Sequence, residues 1–440
     1  MHFACARRRL LERWSQIQTP KPGSSLKLCQ LSTHLPQVAL FPAPAHAAGA
    51  AEVAWHSQTG ILRTDLQGGL FAGTKTLKLQ SILNSTNVPL KAPWWVVGSL
   101  QGNHVVSAVS AIRQAVPHAP VRVVALGRSA QTGDPPTQYQ GNELLLRMLV
   151  PAEDIFSMRG LLGAQAASLC APRAAIRDAA KAAQTGSTSL EMGANGAICS
   201  FNAAHSSLPI VWEGGAQPAG VRGAASLAPM VLQGLASMRC GATQTEAHRG
   251  SQDVQEHVAI DAGTGCTAAS LVAQLALDGA TALAIHVVLV AGTPEGFKHM
   301  LRLAVAELCS DASACLSSLE LHDHTESAAP HAAADPTTGA HHKRAAKLHV
   351  HLHRPPTAKS FGSVNSTAAK SAVALSRATG VLLDPVYTSK LLQTVLHLQD
   401  TEAWQSKQQL QRWLVVHGGG AGGLLGHAAA LSKAVRALDE

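Results

Sequence analysis

Residues 257–265 read HVAIDAGTG, and residues 266–279 continue as CTAASLVAQLALDG. An apolar run of strand length ends in small residues and passes directly into an alanine-rich helical stretch. Similar junctions recur along the chain. PWWVVGS (93–99) precedes a helical pattern from about 103, and VRVVALG (121–127) precedes GNELLLRML (141–149). PIVWEGG (209–215) leads to a segment ending ASLAPMVLQGL, and ALAIHVVLVAG (282–292) leads to EGFKHMLRLAVAEL. RWLVVHGGG (412–420) leads to a C-terminal helix. Continuous apolar strands alternating with helices predict an α/β fold with mostly parallel sheets, because such strands are covered on both faces. Ligands of such sheets bind outside the carboxyl ends of the strands.

The bulk composition excludes several classes. With 440 residues, 46% apolar and 14% charged, the chain can bury a sizeable core and lacks the signature of global disorder. No apolar run reaches the ~18–20 residues of a membrane helix, so no membrane partner is expected. The net charge of +8 comes from scattered basic residues, and only 4% of residues are aromatic. Without a basic stripe or stacking platforms, no nucleic-acid partner is expected. Eight cysteines, at 5, 29, 170, 199, 240, 266, 309 and 315, form no CxxC pair and read as reduced thiols. His349, His351 and His353 alternate, which on a strand places them on one face. They read as a polar or edge strand, and no metal is expected, since no HExxH or Cys-rich partner completes a site.

Two segments depart from the pattern. Residues 1–48 open with MHFACARRRLLERWSQIQ, arginine-rich with Glu12 its only acid. They resemble a chloroplast or mitochondrial transit peptide, and otherwise read as a disordered leader of a cytoplasmic protein. Residues 310–346, rich in Ala, His, Ser and Pro, read as a low-complexity surface insertion.

The strand-to-helix junctions carry the candidate chemistry. Asp261-Ala262-Gly263-Thr264-Gly265-Cys266-Thr267 is a tight turn whose backbone N–H groups, threonine hydroxyls and helix N-terminus suit a phosphate. It lacks the GK[ST] of a Walker loop and the spacing of GxGxxG. Glu213-Gly214-Gly215 and His417-Gly418-Gly419-Gly420 are further glycine turns, and Asn103 starts another helix after a strand. Lys75, in Gly73-Thr74-Lys75-Thr76-Leu77-Lys78-Leu79, reads either as a solvated lysine or as an amine holding a cofactor. The second role needs burial to make the amine nucleophilic.

Taken in order, these blocks resemble the pyridoxal-phosphate (PLP) enzymes of the tryptophan synthase β-like fold, also called fold type II. The similarity is closest to the branch of D-cysteine desulfhydrase and 1-aminocyclopropane-1-carboxylate deaminase. Arg63-Thr64-Asp65-Leu66 and Gly73–Leu79 are similar to R-x-D-L and G-N-K-x-R-K-L. Gly98-Ser99-Leu100-Gln101-Gly102-Asn103-His104 is similar to G-G-x-Q-S-N-H. Residues 212–223 resemble P-E-G-G-S-N-x-x-G-x-x-G, and Thr264–Thr267 resembles the T-G-S-T phosphate loop. Thr379–Lys390 nearly matches T-G-x-x-L-D-P-V-Y-T-G-K, and His417–Gly420 matches H-x-G-G.

The resemblance implies two three-layer α/β/α domains with PLP in the cleft between them. The larger domain would take 49–90 and 215–440, and the smaller 91–214. It implies that Lys75 carries the cofactor as a Schiff base and that Asn103 hydrogen-bonds its phenolic oxygen. Gly263, Thr264, Gly265, Cys266 and Thr267 would hold the phosphate, and Thr388 would face the pyridine nitrogen. Tyr387 would lie over the substrate as a proton donor or acceptor, with Gln101, Gly102 and His104 beside the substrate. A small amino-acid substrate and a homodimer follow from the same likeness. Thr74, Leu77 and Gly102 stand where the pattern has Asn, Arg and Ser, and a second active-site tyrosine has no counterpart, since only Tyr139 and Tyr387 exist. Three readings stay open: an active PLP lyase of D-cysteine desulfhydrase or aminocyclopropane-carboxylate deaminase type, a PLP-binding protein with degraded catalysis, and an α/β binding protein without PLP.

Overall fold

A computed structural model describes residues 38–40, 58–66, 73–85, 92–126, 139–158, 190–192, 198–200, 209–241, 254–325, 347–357, 362–400, 411–419 and 422–440. Its strands are β1 (Val38–Leu40), β2 (Gln58–Leu62), β3 (Trp94–Ser99), β4 (Val121–Leu126), β5 (Ile155–Ser157), β6 (Leu190–Met192), β7 (Ile198–Ser200), β8 (Ile210–Val211), β9 (Gln255–Ala262), β10 (Leu283–Leu289), β11 (Leu319–Asp323), β12 (Leu348–His353) and β13 (Gln411–Val416). Its helices are α1 (Thr74–Ser85), α2 (Asn103–Ala115), α3 (Gly141–Leu149), α4 (Pro218–Ala225), α5 (Leu227–Gly241), α6 (Cys266–Leu277), α7 (Pro294–Leu308), α8 (Ala312–Ser317), α9 (Ser366–Thr379), α10 (Thr388–Asp400), α11 (Gly422–Leu425) and α12 (Ala428–Asp439).

The larger sheet has the order β1-β2-β13-β9-β10-β12-β11, and every pair except β1–β2 is parallel. The smaller, β5-β4-β3-β8, is parallel throughout. β6 and β7 pair as a separate antiparallel ribbon. Both sheets belong to the compact unit His34–Glu440. The expected α/β class with mostly parallel sheets is therefore the observed one. The continuous apolar strands have the reason anticipated: every residue of β10 and β13 is buried.

Both faces of the larger sheet and one face of the smaller are covered. Leu271, Val272, Phe297 and Met300 of α6 and α7 pack on one face of the larger sheet. Leu391, Val395 and Leu398 of α10 pack on the other, against Trp413 and Val415. Val105, Val109 and Ile112 of α2 cover the smaller sheet at Val96 and Val123. Each such side chain contributes roughly 1.5–3 kcal/mol over leaving it in water. Local signals set the helix ends. Thr293 caps α7 ahead of Pro294, accepting from Gly296 N at 3.1 Å, and Asn365 caps α9, accepting from Ala368 N at 2.8 Å.

Three expectations need correction. Val38–Leu40 falls within the expected 1–48 leader, yet it pairs antiparallel with β2; the remainder of 1–48 lies outside the described residues. The expected insertion at 310–346 contains α8 and the edge strand β11, and its part from 326 to 346 lies outside the described residues. Its polar composition hid a strand because an edge strand needs only part of its side chains buried. His349, His351 and His353 do share a strand, but β12 is interior, between β10 and β11, and His351 and His353 are buried.

Candidate active site

β9 and β13 lie side by side, and helices leave their carboxyl ends in a crevice of the kind that binds ligands in parallel sheets. One cavity opens here. Thr74, Lys75 and Lys78 of α1 line it, with Ser99, Gly102, Asn103 and His104 from the β3–α2 junction. Asp261 to Gly265, Thr267 and Ala268 form its floor, and Glu213, Gly214, Tyr387, Gly418 and Gly419 complete it.

The lysines are placed by backbone docking. Thr74 N and Oγ1 both donate to Gly418 O, at 3.3 and 3.0 Å. Gly73 sits at φ 100°, and a Cβ there would meet Gly418 O at 2.6 Å, so only glycine allows this approach. Lys75 and Lys78, three apart on α1, share one face and point into the cavity. Burial pushes both amines below the ordinary lysine value. The carboxylates Asp261 and Asp384 oppose that shift at Lys75. The Lys75 Nζ lies 5.7 Å from the centre of the Tyr387 ring, and Lys78 Nζ donates to Gly214 O at 2.6 Å. Among the described residues neither lysine forms an ion pair, so the cavity holds a buried amine, Lys78, and a half-buried one, Lys75.

The opposite wall is an anion receiver. Gly265 is the N-cap of α6 at φ 85°, with no side-chain cap, so the first N–H groups of the helix face the cavity beside the Thr264 and Thr267 hydroxyls. Gly214 holds φ 67°, and a Cβ there would lie 2.4 Å from Thr264 Oγ1; the 213–215 turn therefore closes directly over this loop.

Tyr387 is positioned by the LLDPVYTSK run. Asp384 Oδ1 accepts from Val386 N at 3.0 Å and Tyr387 N at 2.7 Å, while Oδ2 accepts from Thr388 N at 3.1 Å. The carboxylate thus caps α10 and fixes the tyrosine at its entry. Burial, then Asp384, Asp261 and Glu213, raise the phenol well above its ordinary value, so Tyr387 keeps its proton. Burial, then Lys78 and Lys75, lower the His104 imidazole to about 3, so it is neutral.

Asn103 is oriented from a neighbouring helix. Asn142 Nδ2 at the start of α3 donates to Asn103 Oδ1 at 2.7 Å and to Gln101 O at 2.9 Å. With its oxygen engaged, the Asn103 Nδ2 is the donor that remains for a ligand.

Of the expected site residues, Lys75, Gly102, Asn103, His104, Gly263, Thr264, Gly265, Thr267 and Tyr387 meet in this cavity. Gln101, Cys266 and Thr388 do not line it. Gln101 is exposed and donates to Glu143 Oε2 at 3.0 Å. Cys266 turns inward, its thiol 3.7 Å from Gly215 O. Thr388 is fully buried, its hydroxyl 3.3 Å from His417 Nδ1. Lys78, Asp261, Glu213 and Ser99 are among the lining residues that sequence reasoning did not assign to the site. For Lys78 the signal was its three-residue spacing from Lys75. For Asp261 it was an acid at the carboxyl end of a buried parallel strand, whose carboxyl is pushed up to about 6 by burial and by Asp384.

A crystal structure of an ACC deaminase homologue aligns at a TM-score of 0.55 with 17% identity, covering 92% of this chain and 95% of that one. The chain has the fold of that ACC deaminase homologue. Two structures align at lower scores. One is Escherichia coli diaminopropionate ammonia lyase in apo form (TM-score 0.44, 12% identity, 86% of this chain and 82% of that one). The other is a hydrogen sulfide-producing enzyme from Fusobacterium nucleatum (TM-score 0.43, 10% identity, 89% and 96%). No family model matches the chain, and no curated protein matches it.

Proposed function

We propose that the protein is a PLP-dependent lyase of a small amino acid, of the D-cysteine desulfhydrase type. The observation that carries this reading is the pairing of Lys75, half-buried beside Tyr387, with an uncapped helix N-terminus in the same cavity. The residues fit the cofactor. Gly263, Thr264, Gly265 and Thr267 offer backbone and hydroxyl donors to its phosphate. Asn103 Nδ2 suits its phenolic oxygen, and Lys75 supplies the amine that holds its aldehyde carbon. Bound there, the cofactor supplies an electron sink for carbanions.

The chain's own groups handle the protons. Burial lowers the Lys75 amine below its ordinary value, which favours its proton-accepting form, and Tyr387, kept protonated, can donate a proton. Gly102 lacks the hydroxyl of the resembling pattern, but Ser99 lines the same cavity, its Cβ 3.7 Å from where a Gly102 Cβ would stand. Asp261 brings a carboxylate into the cavity, while the Thr388 hydroxyl is engaged with His417. With D-cysteine and water the products are pyruvate, ammonia and hydrogen sulfide.

Adding PLP to purified protein should produce a visible or near-ultraviolet absorbance band, absent in Lys75→Ala, and D-cysteine should then yield sulfide and pyruvate. No band with PLP would sink the reading. Gly102 supports a second reading, a PLP-binding protein with degraded catalysis. A band without turnover of D-cysteine, D-serine or aminocyclopropane carboxylate would select it.

A further inference from the structure

The edge of the larger sheet holds a second group of chemically capable side chains. β11 and β12 are parallel, with Glu320 opposite His349 and His322 opposite His351. Strand alternation puts Glu320 and His322 on one face, and the register brings His349 to the same face. The His322 Nε2 lies 3.2 Å from His349 Nδ1 and 3.9 Å from Glu320 Oε1. All three ligand atoms fall within 4.8 Å of one another.

From these distances we propose that Glu320, His322 and His349 form a divalent transition-metal site of zinc type that clamps edge strand β11 to β12. Two imidazole nitrogens bound to one tetrahedral zinc at ~2.0–2.1 Å stand about 3.4 Å apart. The observed 3.2 Å separation therefore already approximates a shared ion. The glutamate oxygen stands 3.9 Å from His322 Nε2 and within 4.8 Å of His349 Nδ1, so a shift on the order of 1 Å completes a similar spacing, and its side chain is partly exposed and able to make it. Two imidazoles and one carboxylate are the donor set that zinc accepts, with a fourth position left to water.

The His322 ring is held in place for this role. It stacks on His351, centroids 4.6 Å apart and planes within 15°, and His351 stacks in turn on His286 at 4.9 Å and 13°. His286 and His351 are buried, so this backing is rigid. The site is separate from the PLP cavity. It lies three strands across from β9, in the row of His257, five residues before Ala262. At strand spacings that separation is on the order of 20 Å.

The test uses Co2+ as a spectroscopic probe and Zn2+ as competitor on the full chain, with and without PLP. One equivalent of Co2+ should give visible d–d absorption that Zn2+ abolishes. The band should survive Lys75→Ala and be lost in His322→Ala and His349→Ala, while Glu320→Gln weakens Zn2+ binding at least ~10-fold. Zn2+ should raise the melting temperature of the wild type and leave that of His349→Ala unchanged. Metal-free circular dichroism of each variant guards against misfolding, and retention of the PLP band shows that the active site is intact. Absence of a Co2+ band in the wild type would overturn the assignment and leave an N–H···N hydrogen bond between the two histidines. A band persisting in the His322→Ala/His349→Ala double variant would also overturn it.

Discussion

Replacing Asp261 by Asn tests the electrostatics of the cavity most directly. Asp261 ends β9 beside Lys75, and its carboxyl is displaced from about 3.8 to about 6, first by burial and then by Asp384. Lys75 and His417 oppose this shift without cancelling it. Between the two values the folded protein binds more protons than the unfolded chain, so stability falls as pH rises through that window. About 2 pH units at ~1.4 kcal/mol each correspond to a cost of about 3 kcal/mol once the group is fully ionised above pH ~6. At about pH 5 roughly half of that cost has developed. Asn keeps the shape and cannot ionise. Urea unfolding of the ligand-free protein should therefore show Asp261→Asn gaining on the wild type by about 1.4 kcal/mol between about pH 5 and pH 7.5. A difference that stays constant with pH, or shrinks as pH rises, would refute the placement of this carboxylate in a desolvated site.

Two further outcomes are expected. Gly214→Ala should cost more stability than Gly380→Ala and, on the proposed function, should weaken PLP binding. Both glycines hold nearly the same φ, 67° and 68°, worth about 1–2 kcal/mol when a Cβ is added. Only Gly214 also meets Thr264, whereas nothing lies within 4 Å at Gly380; equal urea midpoints for the two variants would count against the loop packing. Glu256→Ala should cost about 3–5 kcal/mol in the same assay. Glu256 Oε1 accepts from Arg412 Nη1 at 3.0 Å and the same carboxylate pairs with Arg239, so the variant removes a buried carboxylate shared by two guanidinium groups; a loss under ~1 kcal/mol would count against a buried ion pair here.

The active-site geometry was legible to different depths. Gly214 and Gly265 could be read as turns, because their backbone conformations are local. The Asp384-Pro-Val-Tyr387 run carried its own cap, because a carboxylate three residues before an N–H reaches it without tertiary help. Asn142 could not be read as a partner of Asn103, since 39 residues separate them and only the packing of α2 against α3 brings them together. Thr388 was expected to face a ligand, but in the folded chain its hydroxyl meets His417, which β13 delivers from 29 residues away.

By itself the sequence determined the elements that short-range physics governs: buried parallel strands, alternating helices, the glycine turns at their junctions, and one lysine in the right order among them. The tertiary structure decided which charges share a cavity. Lys75, Lys78, Asp261 and Tyr387 come from three separate segments, and their proton affinities follow from mutual distance and burial, neither of which is written in spacing. The histidines of β12 show the same division. Their alternation fixed a common face, but their neighbours on β11 lie 27 residues upstream, and only strand register sets His322 against His349.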